Sequence, residues 1–89
     1  MRLQKRVTIS AVRLDRYLTK QLHKTPGFEG VSLSAGYRLR VPDASGCNWS
    51  GDVTPMYDTR VKRVPPPESF AAALPPIVMA ARAHFNLSD

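Results

Sequence analysis

Cysteine, tryptophan and histidine are scarce in this sequence of 89 residues, which contains one cysteine, one tryptophan and two histidines. A single cysteine excludes an internal disulfide framework and every metal site that needs two thiolates from one chain. It favours a reducing, cytoplasmic setting. The sequence also lacks a phosphate-binding glycine loop, a paired-histidine zinc motif and a nucleophilic serine elbow. We therefore expect no catalytic residue, no metal, no cofactor and no enzymatic activity.

Long hydrophobic runs are missing as well. The longest candidate, Phe70 to Ala81, contains Pro75-Pro76 and falls short of the roughly 20 residues that cross a bilayer. Hydrophobic residues make up 43% of the chain and charged residues 22%, a balance typical of a folded domain and not of a disordered chain. We expect a single domain over residues 1–89 that has no membrane partner.

Acidic residues are outnumbered by basic ones. The chain has 13 Lys and Arg against 7 Asp and Glu, which gives a net charge of +6. A basic surface favours anionic partners, such as nucleic acid or an acidic protein surface. The alternative is that the charge serves only to keep the surface solvated.

Two segments have the apolar spacing of a helix that buries one face. The first is predicted from Ala11 to Lys24 with Ser10 as its N-cap. Its apolar stripe comprises Leu14, Tyr17, Leu18 and Leu22. The second is predicted from about Pro67 to Phe85, and Pro75-Pro76 inside it predicts either a kink or two short helices.

Strict alternation of apolar and polar residues from Val31 to Val41 predicts a strand with one buried and one polar face. Cys47 to Val53 is a candidate second strand and Tyr57 to Val64 a candidate third, while residues 2–9 form a short edge strand or a frayed arm. Pro55 weakens pairing between the later candidates. The predicted fold class is α+β. It is a two-layer sandwich of helix, two or three antiparallel strands and helix, with the helices packed on one sheet face.

The segment GCNWS, residues 46–50, contains the lone cysteine and the lone tryptophan. Its glycine permits a tight turn, its polar side chains can bond nearby backbone, and Trp49 can pack over an edge of the core. Two alternatives stay open. Trp49 can be an exposed anchor for a partner, or Cys47 can be a nucleophile activated by His23 or His84. We rank the structural interpretation first and the cysteine-dependent enzyme last.

Basic residues define two candidate binding surfaces. The first lies on the first helix, away from its apolar stripe, and comprises Arg13, Arg16, Lys20 and Lys24. The second is the polar face of the sheet, bordered by Trp49, and comprises Arg38, Arg40, Arg60 and Lys62. Either surface can contact a phosphate backbone with salt-dependent affinity. The alternative is an ordinary solvated face, which is normally charged.

The order of helix, strands and helix is similar to the double-stranded-RNA-binding domain, but in topology only. The last helix begins with Pro66-Pro67-Glu68-Ser69 where that family has lysines, and residues 42–46 lack its loop histidine. The chain more closely resembles a group of short proteobacterial proteins of unknown function. The shared features are Pro26-Gly27 after a leucine-bearing helix, the GCNWS segment, and an alanine-rich last helix that ends near Arg82 to Leu87. This resemblance implies a bacterial protein in which GCNWS is a defining feature, and it implies no activity or ligand.

From these patterns we expect a small non-enzymatic binding or interaction module, whose contact surface is the polar face of the sheet. The alternative is a nucleic-acid-binding protein that uses the helix stripe and the strand arginines. The partner itself is not specified by the sequence and can be a protein or a nucleic acid. A homodimer through an unpaired strand edge or face is compatible with a small sheet.

Overall fold

The computed structural model describes residues 7–36, 38–44, 46–57, 60 and 64–88. The elements follow the order β1 (Val7–Ile9), α1 (Ala11–Leu22), β2 (Val31–Ala35), β3 (Val53–Tyr57), α2 (Pro67–His84) and β4 (Phe85–Leu87). The expected α+β class is confirmed. The strands form two separate pairs, β2 antiparallel to β3 and β1 parallel to β4, where the sequence predicted one antiparallel sheet.

α1 begins where the sequence predicts. The Ser10 hydroxyl accepts a hydrogen bond from the Arg13 N–H at 3.3 Å, which caps the first turn. The apolar stripe is confirmed, because Leu14, Leu18 and Leu22 are each 0% exposed. The helix ends at Leu22, before the predicted Lys24, since the Thr25 N–H turns back to the Leu22 carbonyl at 2.9 Å.

α2 is one continuous helix that contains both Pro75 and Pro76. The alternative of two short helices is therefore wrong. Each proline removes one hydrogen bond to the carbonyl four residues earlier, at Ala71 and Ala72. Both alanines are exposed, so water can reach the two carbonyls. The helix starts at Pro67, where a missing N–H has no cost because the first turn has no acceptor for it.

The alternation predicted for β2 is confirmed only in its first half. Val31 and Leu33 are each 1% exposed, whereas Ser32 and Ser34 are partly exposed on the other face. The predicted strand does not continue to Val41, which is 75% exposed. The ladder stops beside Gly36, where a Cβ atom would come within 2.5 Å of the Asp52 carbonyl oxygen. Only glycine fits this close approach of the two chain segments.

The return strand also differs from the prediction, because β3 covers Val53 to Tyr57 and not residues 47–53. One further bridge joins Arg38 to Trp49. Its register is shifted by one residue relative to the ladder, which is the pattern of a bulge on the return segment. Gly51 supplies the required left-handed backbone at φ 81°. The predicted third strand, from Tyr57 on, falls mostly on residues 58, 59 and 61–63, outside the described residues.

The chain termini meet in the second strand pair. Ile9 pairs with Leu87 and Val7 with Phe85, in parallel register. The Ser88 N–H extends the pair by donating to the Ile9 carbonyl at 2.9 Å. An edge strand within residues 2–9 is therefore confirmed for residues 7–9, and the preceding positions lie outside the described part of the chain.

Side chains of α1 cover the edge of β2 that faces away from β3. The Asp15 carboxylate accepts a hydrogen bond from the Ala35 N–H at 2.6 Å, and the Thr19 hydroxyl accepts one from the Leu33 N–H at 2.9 Å. His23, the C-cap residue of the helix, donates from its Nε2 to the Val31 carbonyl at 2.7 Å. An unpaired strand edge is normally a template for further strands. Here the helix supplies the partners that a neighbouring strand would otherwise supply.

This arrangement is possible because the rise of four helical residues nearly equals the rise of two strand residues. Four residues of α-helix rise about 6 Å, and two residues of strand rise about 6.7 Å. Asp15, Thr19 and His23 are spaced four apart, and they meet alternate residues of β2 in the opposite chain direction. A helix that runs antiparallel to the strand can therefore bond every outward-facing residue over two turns.

The outer edge of β3 is protected by a different device. Pro55 lies opposite Leu33 in the ladder. The Leu33 N–H points to α1, so Leu33 and Pro55 form a pair that is not hydrogen-bonded across the ladder. The backbone nitrogen of Pro55 therefore faces the outer edge, where it offers no donor. Neither edge of the β2–β3 pair therefore favours the strand-edge dimer considered from the sequence.

Replacement of Thr19 by valine tests the covered edge. The change keeps the side-chain shape but leaves the buried Leu33 N–H without its acceptor, so we expect unfolding to become easier by about 1–3 kcal/mol. Urea denaturation followed by circular dichroism measures the loss. Thr54→Val, on an exposed strand position, is the matched control and should change stability by less than about 0.5 kcal/mol. Equal losses for both variants would contradict the proposed role of Thr19.

Candidate functional site

The GCNWS segment is part of the core and not of the surface. Cys47 and Trp49 are 0% exposed, and Asn48 is 8% exposed. The predicted packing of Trp49 against the core is therefore confirmed. The alternative of Trp49 as an exposed anchor that borders a binding face is wrong, because its side chain presents no surface to a partner.

Residues 46–49 are held to β4 by side-chain hydrogen bonds in both directions. The Asn48 side-chain amide donates to the Leu87 carbonyl at 2.8 Å and accepts from the Leu87 N–H at 2.7 Å. The Asn86 side-chain amide accepts from the Asn48 N–H at 3.2 Å and donates to the Gly46 carbonyl at 3.2 Å. The Trp49 Nε1 donates to the Phe85 carbonyl at 3.0 Å. Each asparagine amide thus substitutes for a strand backbone. We call this set of contacts the asparagine clasp.

An ion pair reinforces the clasp at one end. Arg82 of α2 bonds the Asp43 carboxylate. The same carboxylate accepts from the Cys47 N–H at 3.2 Å, so it fixes the turn that precedes GCNWS. Burial would lower the pKa of the Arg82 guanidinium, but its neighbours Cys47 and Asp43 outweigh this and raise it. Arg82 therefore keeps its charge for this structural contact.

Cys47 is placed for packing. Its thiol donates to the Trp49 carbonyl at 3.8 Å, and its side chain is enclosed by the core. The two histidines lie elsewhere: His23 bonds the β2 backbone and His84 is exposed at the end of α2. Among the residues that the structure describes, no hydrogen bond joins Cys47 to a histidine. The geometry gives no support to a cysteine nucleophile.

The basic stripe of the first helix lies on the surface. Its four members, Arg13, Arg16, Lys20 and Lys24, are all exposed. Asp15 is the only acidic residue of α1, and its carboxylate is turned to the Ala35 N–H. The outward side of the helix is therefore strongly positive.

The basic residues assigned to the sheet face follow the ends of the two strands. Arg38 and Arg40 come after β2, which ends at Ala35, and both are exposed; Arg38 is joined to Trp49 by the isolated bridge. Arg60 is exposed beyond the end of β3. Lys62 lies outside the described residues. The polar face of the strand pair instead carries Ser32, Ser34, Thr54 and Met56.

A groove joins the helix stripe to this polar face. It encloses about 430 Å³ and is lined by Val12, Asp15, Arg16, Thr19, Lys20, His23, Ser32, Leu33 and Met56. Arg16 and Lys20 form one rim, and Val12 and Met56 contribute apolar surface, being 60% and 49% exposed. We call it the α1–β2 groove. It combines cationic groups with exposed apolar side chains, a composition that suits an anionic ligand with an apolar body.

Sequence reasoning identified Arg16 and Lys20 but not the other groove residues. Val12 stands four residues before Arg16, so the helical repeat places it on the same rim. Met56 lies between the two candidate strands, Cys47 to Val53 and Tyr57 to Val64, so the sequence pattern placed it in neither. Pairing of Met56 with Ser32 is a tertiary fact that no local pattern contains.

Replacement of Asn48 by aspartate tests the asparagine clasp. The second carboxylate oxygen would face the Leu87 carbonyl, so burial and repulsion raise the pKa of the new carboxyl above its unfolded value. The charged form is disfavoured in the folded state, and the loss of stability should be larger at pH 7 than at pH 4.

Denaturation at both pH values measures this difference. Asn48→Ala, which adds no titratable group, is the control and should lose the same amount of stability at each pH, relative to the unchanged protein. A pH-independent loss for Asn48→Asp would show that residue 48 is not enclosed by the clasp.

In the described ranges, no helix is long and apolar enough to cross a membrane. No group of three or more His, Cys, Asp or Glu side chains that could hold a metal occurs in that same part of the chain. No protein-family model, curated protein or solved structure matches this chain.

Proposed function

We propose that this protein is a small non-enzymatic binding module that docks an acidic, amphipathic segment of another protein in the α1–β2 groove. The observation that carries the proposal is the placement of exposed Arg16 and Lys20 along an apolar groove of about 430 Å³. Acidic side chains of a partner would pair with the two cations, while its apolar side chains would cover Val12 and Met56.

Charge supports an anionic partner. The chain carries a net charge of +6, and three of its exposed cations, Arg13, Arg16 and Lys20, lie on α1, with Lys24 exposed just after the helix. Opposite charge accelerates the encounter of two proteins and suppresses partners of like charge. A neutral or basic segment would leave Arg16 and Lys20 uncompensated at the rim.

The mode of docking follows from the groove walls. Strand addition is disfavoured, because α1 side chains already bond the outward edge of β2. Recognition of a polyproline helix needs aromatic walls, and the described lining contains no Phe, Tyr or Trp. A partner helix that inserts apolar anchors one turn apart remains the fitting mode.

Nucleic acid binding is the second candidate, favoured by the three exposed cations on α1 and Lys24 just beyond its end. Phosphate contacts alone would give salt-dependent binding without base readout. The groove lining offers no ring on which a base can stack. We therefore place the acidic protein segment first.

Two further elements belong to the proposal. The helices are taken to form one layer over the buried face of the β2–β3 pair, the two-layer arrangement expected from the sequence. The ring contact between Phe70 of α2 and Tyr57 of β3, with centroids 6.2 Å apart, supports this arrangement. A cytoplasmic location is supported by the free, buried Cys47, which needs no oxidising compartment.

A labelled peptide tests the proposal by fluorescence anisotropy. The probe is an amphipathic peptide of about 15 residues with leucine on one face and glutamate on its flanks. We expect it to bind, with an affinity that falls as salt rises. The double variant Arg16→Glu and Lys20→Glu should weaken binding by at least about tenfold.

The matched control is Arg38→Glu with Arg40→Glu, which lowers the net charge by the same amount, from +6 to +2. It should weaken binding by less than about threefold, since these residues lie away from the groove. Equal losses would mean that net charge alone drives binding. Tight binding of single- or double-stranded oligonucleotides without peptide binding would favour the second candidate.

A further inference from the structure

A second hollow adjoins the α1–β2 groove beyond the end of α1. It encloses about 370 Å³ and is lined by His23, Glu29, Gly30, Val31, Ser32 and Tyr57. His23 and Ser32 line both cavities, so the hollow continues the groove. We call it the Glu29 hollow.

The charge of the wall changes sign between the two cavities. Arg16 and Lys20 line the groove, whereas the described lining of the hollow contains one carboxylate, that of Glu29, and no lysine or arginine. Asp15 also lines the groove, but its carboxylate accepts a hydrogen bond from the Ala35 N–H. A ligand that lies along both cavities therefore meets two exposed cations and then an exposed anion.

Local backbone structure fixes the position of Glu29. The Val31 N–H donates to the Phe28 carbonyl at 3.0 Å and closes a tight turn that has Glu29 at its first corner. The two carboxylate oxygens of Glu29 lie 3.1 and 3.2 Å from the Gly27 nitrogen, whose N–H is the donor. Hydrogen bonds from the Glu29 and Gly27 N–H groups lower the pKa of the Glu29 carboxyl, and the nearby His23 adds to this effect. The carboxylate is therefore charged and held in place, and it keeps lone pairs for a further donor.

We propose that the Glu29 hollow binds a lysine or arginine side chain of the partner segment and thereby determines which end of that segment lies beyond α1. The inference rests on the groove proposal. It assigns the partner acidic residues opposite Arg16 and Lys20 and a basic residue beyond His23. The ammonium or guanidinium group donates to the Glu29 carboxylate, and its methylene stem lies against the wall of the hollow.

The repeat of α1 sets the spacing of these charges on the partner. Arg16 precedes His23 by seven residues, which corresponds to about 10 Å along the helix. A partner helix that lies along the groove covers this distance in about two turns, and residues two turns apart share one face. The expected partner therefore has an acidic residue and a basic residue about two turns apart on the face that docks.

Charge complementarity selects this occupant. A wholly acidic segment would place an anion beside Glu29, and like charges at close range reduce affinity. A nucleic acid would bring a phosphate to the same place, with the same repulsion. A bound metal ion is disfavoured, because hard cations need several oxygen ligands and the described lining contains one carboxylate.

Two labelled peptides of about 15 residues test the proposal by fluorescence anisotropy. Both have the same leucine face and the same glutamates for Arg16 and Lys20. Two turns away, the glutamate peptide has a further glutamate and the lysine peptide has a lysine. We expect the unchanged protein to bind the lysine peptide at least about threefold more tightly, because an attraction replaces a repulsion at Glu29.

Glu29→Lys should reverse this preference, so that the glutamate peptide binds at least about threefold more tightly. Glu29→Gln, which keeps an acceptor for the Gly27 N–H, should abolish the preference. Glu68→Lys is the matched control, since it makes the same charge change at an exposed position of α2. It should alter the preference by less than about twofold. Circular dichroism checks that all three variants remain folded.

The outcomes separate this inference from the groove proposal. Binding of both peptides through Arg16 and Lys20 without a preference for lysine would overturn the Glu29 hollow and leave the groove intact. No binding of either peptide would overturn both. A preference for the lysine peptide that persists in Glu29→Lys would place the partner's cation elsewhere and overturn the assignment to Glu29.

Discussion

The outward edge of β2 is a row of backbone donors and acceptors that must find partners inside the folded chain. An edge of this kind normally pairs with another strand or remains open to solvent. In this fold α1 bonds it with three side chains spaced four residues apart, at Asp15, Thr19 and His23. The contact fixes the position of α1 relative to the sheet. The α1–β2 groove lies directly above it, because the next row of the helix, from Val12 to Lys20, forms the groove rim.

The asparagine clasp holds the other half of the molecule together. GCNWS lies far from β4 in the sequence, yet Asn48 and Asn86 bond each other's backbone segments. Polar groups are buried there at little cost because their donors and acceptors are matched. A short chain has a small core. Because the polar groups around them are hydrogen-bonded, the buried side chains of Trp49 and Cys47 add to the packing of this core without leaving polar atoms unsatisfied. Residues 47–49 are therefore buried and hydrogen-bonded inside the fold.

Local patterns in the sequence were sufficient for the start of α1, for the position of α2 and for the first half of β2. Capping by Ser10, the leucine repeat and the alternation of residues 31–35 each act within a few neighbours, so the sequence shows them directly. The bulge, the shifted register of β3 and the pairing of β1 with β4 depend on contacts between distant residues. The same limit applies to the site. Arg16 and Lys20 were recognisable from helical spacing, whereas Met56 and Ser32 join them only through the register of the strands.

Hydrogen exchange of the β2 amides measures the covered edge without any change in the protein. If α1 side chains replace a neighbouring strand, the N–H groups of Leu33 and Ala35 should exchange only through global unfolding, as slowly as the core of α1. The Leu18 amide within α1 provides the reference rate. Fast exchange of Leu33 and Ala35 beside a protected Leu18 would mean that the edge is open in solution. The groove and the proposed docking mode would then lose their structural basis.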